Sequence, residues 1–281
     1  MTAVPVVHIG DIHCGRDADL AQIEALEALI PTLEPGAVVL SGDLTQRARH
    51  GEFQRALAFM KTVGKAAPVY VIPGNHDVEW WKSPFGLFGP APLYHKYRRY
   101  FGDDLTPVLS MPGLVIAGVL TAHGVAFGSM TWNLNDMAVK GHLPASEVRR
   151  VRQVFESAPA DTAKYLVVHH NVLRGKISGR MGLARWRSAH RRIAELGVDV
   201  VLCGHDHQEG ADHLNGGPVV STASTHTHRT RGRRAAAFNV IRVEPDAVEV
   251  RHLHWEPGLG RFMPASTSRF ARRLSSGPGT R

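Results

Sequence analysis

Three side chains that can bind a metal ion or transfer a proton follow one another at Asn75-His76-Asp77. They come directly after Pro73-Gly74 and the apolar run at 69–72, which is typical of a buried strand. The three residues are therefore predicted to lie in the loop at the carboxyl end of that strand. An amide, an imidazole and a carboxylate in succession are more than a turn requires. The stretch predicts that Asn75 binds a metal ion, whereas His76 and Asp77 take part in the chemistry.

Ligand-type side chains also follow four other apolar runs. Carboxyl ends of strands in an open α/β sheet face one edge, so residues far apart in sequence can converge there. In Asp11-Ile12-His13 and in His205-Asp206-His207 the candidate ligands are two residues apart, which places both side chains on one face of extended backbone. A single Asp after a strand is more often a helix cap, but the complete set predicts a metal site. Its candidate ligands are Asp11, His13, Asp43, Asn75, His169, His205 and His207.

These residues require strands that alternate with helices. Two stretches with helical periodicity, 20–33 and 53–60, separate the first three apolar runs, and three such units predict a mostly parallel sheet covered by helices. Helices are also predicted after Pro144 and from Trp186, and strands within 105–130 and at 165–168, 198–202, 218–221, 235–243 and 247–254. We predict a single domain over residues 1–263 and a mobile tail over 264–281, where Ser, Gly, Pro and Arg dominate.

Composition narrows the class of protein without naming it. A net charge of +8 favours anionic partners of any kind, and 17 histidines raise the expectation of metal chemistry. Two cysteines, Cys14 and Cys203, cannot form a disulfide framework, which favours a reducing compartment. Neither a secretory signal nor a membrane-spanning stretch is visible. We therefore expect a cytoplasmic protein without membrane insertion.

The ordered motifs resemble those of the calcineurin-like metallophosphoesterases. The pattern of that family occurs here, between residues 4 and 222, as Asp11-Ile12-His13, Gly42-Asp43, Gly74-Asn75-His76-Asp77, His169 and Gly204-His205-Asp206-His207. The resemblance implies an α/β fold, a four-layer αββα sandwich of two mixed β-sheets flanked by helices. It also implies two divalent transition metal ions, of Mn, Fe or Zn. One would be bound by Asp11, His13, Asp43 and His207, and the other by Asp43, Asn75, His169 and His205.

One motif departs from the family pattern. Members commonly have His-His-Pro or His-x-Pro where this chain has His169-His170-Asn171. His169 is expected to be the ligand because it directly follows the apolar strand, and His170 stays open as the alternative.

The reaction that the resemblance implies is hydrolysis of a phosphoester by in-line attack of a metal-bridging hydroxide. His76 would protonate the leaving alkoxide or stabilise the phosphoryl charge. Asp77 would orient His76 and raise its pKa. The compact chain and the Gly-Asn-His-Asp stretch look most like bacterial class III 3′,5′-cyclic nucleotide phosphodiesterases, so a small phosphodiester is the expected substrate.

Particular residues distinguish this chain from other two-metal hydrolases within and outside the family. Lipid A precursor hydrolases commonly carry Arg where His76 stands, and the exonucleases usually have additional DNA-binding domains. Metallo-β-lactamase-type enzymes need His-x-His-x-Asp-His, whereas Glu209-Gly210 follows the last histidine motif here. A phosphomonoesterase or a nuclease of the same family is the alternative. The complete ligand set disfavours a non-enzymatic scaffold.

Three further features leave alternatives open. Residues 80–101 either line a substrate entrance, with Lys96, Arg98 and Arg99, or form a surface excursion. The basic run at 229–234 could bind nucleic acid, although a solvated turn is favoured because no aromatic residues interleave it. His226 and His228 just before it are expected to be ordinary strand residues. The oligomeric state is not indicated.

Overall fold

Two mixed β-sheets form the centre of the computed structural model of this chain. The structure describes residues 3–16, 18–79, 91–123, 140–225, 232 and 234–272. Within these residues each sheet has six strands. The first sheet contains β1 (Val6–Ile9), β2 (Ala37–Leu40), β3 (Val69–Val71), β10 (Ala237–Val243), β11 (Ala247–Glu256) and β12 (Arg261–Ala271). The second contains β4 (Val108–Met111), β5 (Leu114–Val119), β6 (Ala163–Val168), β7 (Val200–Cys203), β8 (Gly210–His213) and β9 (Val219–Thr222).

The order of the strands places the carboxyl ends of the central strands at one end of the molecule. The first sheet runs β12-β11-β10-β1-β2-β3, with β1, β2 and β3 parallel and β10 to β12 antiparallel. The second runs β4-β5-β6-β7-β9-β8, with β5, β6, β7 and β9 parallel and an antiparallel strand at each edge. The segments that carry the candidate ligands therefore all leave parallel strands.

Helices cover the outer face of each sheet. The helices are α1 (Leu20–Leu29), α2 (His50–Val63), α3 (His95–Phe101), α4 (Ala145–Ser157) and α5 (Trp186–Ala194). Apolar residues of α1, α2 and α3 pack on the first sheet, and those of α4 and α5 pack on the second. A third cluster, which includes Val39, Tyr165 and Leu202, fills the space between the sheets. The predicted four-layer αββα fold is confirmed.

The predicted boundary of the C-terminal tail was wrong for residues 264–271, which form most of β12. The polar composition that suggested a tail belongs to an edge strand, where one face and one backbone edge remain in contact with water. Pro264 lies where the register between β11 and β12 shifts, a position that tolerates a residue without an N–H group. Residues 273–281 lie outside the described residues. None of the described helices is both long and apolar enough to cross a membrane.

A layer of buried polar side chains crosses the space between the sheets beneath the ligand-bearing loops. His8 of β1 lies opposite Asn239 of β10, and its Nε2 is 3.1 Å from Ser41 Oγ. Asn239 donates through Nδ2 to Ser221 Oγ of the second sheet, and its Oδ1 accepts from His252 Nδ1 at 2.7 Å. Burial, with a smaller contribution from His252, lowers the pKa of His8 to about 3. His8 is therefore neutral in the folded protein.

The depressed pKa of His8 predicts a loss of stability in mild acid. As the pH falls below 6.5, His8 becomes protonated in the unfolded chain but stays neutral in the folded chain until about pH 3. The free energy of unfolding therefore decreases as the pH falls through that interval. Between pH 7 and pH 5 this residue should cost about 2 kcal/mol of unfolding free energy. Urea unfolding of the metal-free protein at pH 7 and pH 5 should show a smaller difference in unfolding free energy for His8→Gln than for the wild type. The exposed His95→Gln variant should keep the wild-type difference. Equal differences in the two variants would contradict the assignment to His8.

Candidate metal centre

The seven predicted ligands lie together at the carboxyl ends of the central strands. Asp11 and His13 follow β1, Asp43 follows β2, Asn75 follows β3, His169 follows β6, and His205 and His207 follow β7. Backbone hydrogen bonds join these loops to one another. His13 N–H donates to Asp43 O and Gly204 N–H donates to His169 O, each at 2.9 Å. The site is therefore built by the ends of five strands, three from the first sheet and two from the second.

The backbone at five of the seven predicted ligands is left-handed, not extended. The φ angle is 53° at Asp11, 43° at His13, 53° at Asp43, 73° at His205 and 53° at His207. The prediction that extended backbone aligns the i, i+2 pairs was wrong, because both pairs lie in turns beyond the strand ends. Non-glycine residues held in this region cost on the order of 1–3 kcal/mol each, and such strain is concentrated at functional sites.

Asp43 lies between two groups of ligands and presents one carboxylate oxygen to each. Its Oδ2 is 3.6 Å from His13 Nε2, and its Oδ1 is 3.3 Å from His169 Nε2. The backbone of the loop after β3 approaches so closely that a Cβ atom on Gly74 would lie 2.2 Å from Asp43 Oδ1. A glycine is required at that position. The carboxylate is placed as a bridging ligand would be.

The first group comprises Asp11, His13, Asp43 and His207, whose potential ligand atoms lie within 4.8 Å of one another. His13 Nδ1 donates to Thr45 O at 3.1 Å, which leaves the lone pair on Nε2 facing His207 Nε2 at 3.3 Å. Asp11 Oδ1 accepts from His205 N–H, whereas Asp11 Oδ2 and Asp43 Oδ2 are buried without a hydrogen-bond partner. The group thus has buried acceptor atoms that a cation would satisfy.

The second group gathers around the side chain of Asn75. Asn75 Oδ1 lies 2.9 Å from both His169 Nε2 and His205 Nδ1. His169 Nδ1 donates to Ser41 O at 2.9 Å, so the lone pair of Nε2 faces the group in the neutral tautomer. Together with Asp43 Oδ1, these atoms form a mixed set of amide, carboxylate and imidazole donors.

His170 lies beside the second group, and its Nδ1 is hydrogen-bonded to a residue outside that group. His170, His169 and His205 have ring nitrogens within 4.8 Å of one another, so proximity alone does not show whether His169 or His170 is the ligand. His170 Nδ1 is 2.8 Å from Thr121 Oγ1, and its ring lies 4.5 Å from that of His205. His169 Nε2, in contrast, contacts both Asn75 and Asp43. The geometry favours His169 as the ligand and His170 as its neighbour.

The electrostatics of the two groups fit a cation-binding site. Burial, followed by repulsion from Asp43, raises the pKa of Asp11 to about 7. Burial alone would raise the pKa of Asp43 too, but His169, His76 and His13 hold it well below its usual range. Burial lowers the pKa of His205 well below 6.5, which keeps a ring-nitrogen lone pair available. Two buried carboxylates with oxygens that lack hydrogen bonds are costly without positive charge. The N and O donors suit Mn, Fe or Zn.

His76 is oriented by a backbone carbonyl and not by Asp77. His76 Nδ1 donates to Gln46 O at 2.8 Å, and the half-buried ring stands edge-on to His13 with centroids 4.8 Å apart. The Asp77 carboxylate is fully buried beneath the loop. It accepts hydrogen bonds from the N–H groups of Leu44, Thr45 and Gly74 and from the Thr45 hydroxyl.

The predicted pairing of Asp77 with His76 was therefore wrong. The carboxylate of Asp77 instead accepts hydrogen bonds from backbone N–H groups of both loops, and so joins the loop after β2 to the loop after β3. Adjacent positions in a turn point their side chains in different directions, and the motif itself carries no signal of where Asp77 points.

Other candidate regions lie partly outside the described residues. Residues 80–90 of the aromatic segment, His226, His228 and residues 229–231 and 233 of the basic run are not among them. At the described end of the aromatic segment, Lys96 Nζ is 3.1 Å from both Glu79 Oε1 and Ala48 O, so it binds the neighbouring loops instead of facing an entrance. Arg234 pairs with Glu209 at 2.7 Å.

A sequence model described as calcineurin-like phosphoesterase matches residues 4–209. This chain belongs to the calcineurin-like phosphoesterase family. The match covers all seven candidate ligands together with His76 and Asp77, so the site lies within the part of the chain that defines the family.

Two solved structures are similar to this chain in fold. A dimetal phosphatase from Danio rerio has a TM-score of 0.64 and 12% identity over 96% of this chain and 99% of that chain. GAP50, the anchor in the inner membrane complex of Plasmodium, has a TM-score of 0.58 and 9% identity over 98% of this chain and 90% of that chain. These identities support the shared fold alone.

The curated relative is a transmembrane protein with a metallophosphoesterase domain from Danio rerio. It is 25% identical over 114 residues, which is 38% of this chain and 25% of that protein. The match thus extends over only a quarter of that relative's length.

Removal of single histidines should separate ligands from their neighbours. We expect His169→Ala to retain about one metal ion per chain because the second group loses an essential donor, and His170→Ala to retain about two. Asp43→Ala, which removes an oxygen from both groups, should retain neither with useful affinity. Metal content after loading with Mn and gel filtration measures all three. Loss of metal in His170→Ala with retention in His169→Ala would reverse the assignment.

Proposed function

We propose that this chain hydrolyses phosphoesters with two divalent metal ions and that its preferred substrate is a small phosphodiester, such as a cyclic nucleotide. The observation that carries the proposal is the position of Asp43. Its two oxygens face two separate donor groups, and the non-ligand His76 lies beside the first of them. Such an arrangement suits in-line displacement at phosphorus, which needs charge neutralisation on one side and proton delivery on the other.

The residues of the chain divide this work between them. Asp11, His13, Asp43 and His207 would hold one metal ion, and Asp43, Asn75, His169 and His205 the other. When bound, two such ions supply Lewis-acid charge and lower the pKa of water at the site. His76 would act as the general acid in its doubly protonated form: Gln46 O accepts from Nδ1–H, so the proton to be delivered is the one on Nε2, and the ring is left as the neutral Nδ1–H tautomer. The His76 side chain is only half-buried, which suits a group that meets a substrate.

The choice of a diester rests on the likeness of the Gly-Asn-His-Asp stretch, which includes His76, to class III cyclic nucleotide phosphodiesterases. An alkoxide is a poor leaving group in a diester and in a monoester, so a proton donor would serve both reactions. A phosphomonoesterase or a nuclease would use the same metal ligands, so these remain the alternatives. The complete ligand set counts against a scaffold without catalytic activity.

A cytoplasmic location is part of the proposal. Cys14 and Cys203 are both free and buried, the first in the loop after β1 and the second at the end of β7. Burial raises the pKa of the Cys14 thiol to about 12 and that of Cys203 to about 11, so neither is a reactive thiolate. The two thiols fit a reducing compartment.

A substrate panel tests the proposed reaction. With added Mn, we expect an aryl phosphodiester and cyclic AMP to be cleaved, and an aryl phosphomonoester and single-stranded DNA to be cleaved far more slowly. The Asp43→Ala protein, assayed in parallel, controls for contaminating activity and should be inactive. Turnover of the monoester alone would show that the diesterase proposal is wrong.

Substitution of His76 tests its role in proton delivery. His76→Ala should lower kcat by about 10²–10⁴-fold for an alkyl leaving group, the usual range for general acid catalysis, with a smaller loss for an acidic phenol. Both metal ions should stay bound, because the His76 ring is not among the donors. The exposed His95→Ala variant should keep wild-type rates. Loss of metal in His76→Ala would mean that its imidazole is a ligand.

A further inference from the structure

We propose that Glu52 is a positioning residue for His76 and acts through the backbone of the loop between β2 and α2. The inference rests on the proposed function, in which the His76 ring delivers a proton. Glu52 lies in the first turn of α2, is only 7% exposed, and points back under the loop at 46–49. It has no direct contact with His76, so its effect must pass through the peptide groups between them.

One carboxylate oxygen of Glu52 accepts hydrogen bonds from three backbone N–H groups. Glu52 Oε2 accepts from the N–H groups of Gln46 at 3.2 Å, Arg47 at 2.8 Å and Arg49 at 3.2 Å. A glutamate that only capped the helix would need the bond to Arg49, the residue before the first turn. The two additional bonds reach into the loop itself. Glu52 thus fixes loop backbone that the helix does not require.

The peptide group between Gln46 and Arg47 joins Glu52 to His76. Its N–H belongs to Arg47 and donates to Glu52, and its C=O belongs to Gln46 and accepts from His76 Nδ1 at 2.8 Å. A trans peptide is planar, with N–H and C=O pointing in opposite directions. Glu52 and His76 therefore hold opposite sides of one rigid plane. Without Glu52 this plane can rotate, and the carbonyl then no longer selects the tautomer and direction of the ring.

The peptide group before it has a second anchor. Its N–H, from Gln46, also donates to Glu52, and its C=O, from Thr45, accepts from His13 Nδ1. Thr45 is held in addition by Asp77, which accepts from its N–H and hydroxyl groups, and His13 N–H donates to Asp43 O. Loss of Glu52 should therefore disturb His76 more than His13 and leave the metal ligands in place. Retention of the metal ions therefore distinguishes a positioning role of Glu52 from a general disruption of the metal site.

Kinetic coupling between the two residues tests the proposal. Glu52→Ala should lower kcat for diesters with poorly acidic leaving groups by about 10- to 100-fold, the size usual for loss of an orienting hydrogen bond, with two metal ions retained. In the His76→Ala background the same substitution should change the rate by less than about 2-fold, because the group that it positions is gone. Gln54→Ala, an exposed change on the same helix, should keep the wild-type rate in both backgrounds.

A spectroscopic measurement tests the positioning without relying on activity. In 15N-histidine NMR spectra of the metal-free protein, the neutral form of His76 should be the Nδ1–H tautomer in the wild type and a mixture of tautomers in Glu52→Ala. Should that variant fail to fold, Glu52→Gln, which keeps one acceptor oxygen, should fold and show a smaller change in the same spectrum and rate. An unchanged tautomer, or a loss that is equal with and without His76, would overturn the inference. A rate unaffected by His76→Ala alone would instead count against the proposed function.

Discussion

The structure of this site depends on the need to balance two buried carboxylates. Asp11 and Asp43 are fully buried, lie close enough to raise the pKa of Asp11, and each keep one oxygen without a hydrogen bond. Such groups are stable only when positive charge is supplied. The surrounding loops bring imidazole nitrogens to these oxygens and accept left-handed backbone at five non-glycine residues to do so. The strain and the unsatisfied lone pairs fit a site that could hold metal cations.

The loop after β2 organises the imidazoles around this charge. Three of its carbonyl oxygens, from Ser41, Thr45 and Gln46, each accept from Nδ1 of a different histidine: His169, His13 and His76. The same short segment carries Asp43 between the two groups of donors. A carbonyl at Nδ1 keeps that nitrogen protonated and points Nε2 to the site, as a lone pair in His13 and His169 and as the proton donor in His76. Histidines that follow β1, β3 and β6 are thus aligned by one segment that follows β2.

The sequence predicted the parts of this arrangement that depend on strand order. Apolar runs followed by Asp11, Asp43, Asn75 and His169 indicated parallel strands with converging ends, and that convergence follows from topology alone. The direction of a side chain within a turn does not, which is why Asp77 was assigned to the wrong neighbour and the backbone of the paired ligands was taken as extended. The edge strand β12 was missed because polar residues satisfy an edge as well as they suit a tail. The short strand β8 was not predicted because it contains no β-branched residues.

The site is built in successive shells of alternating electrostatic character, and this explains why acidic residues that touch neither metal nor substrate belong to it. Glu52 accepts from the N–H groups of Gln46 and Arg47, and the carbonyl groups of the same two peptide units accept from Nδ1 of His13 and His76. Each bond polarises the next in the same sense, so a buried carboxylate at the back strengthens donation at the front. Asp77 is part of the motif through the backbone of the loop, which it shapes. The chemistry at the centre depends on a carboxylate, Glu52, that lies one peptide group away from the imidazoles.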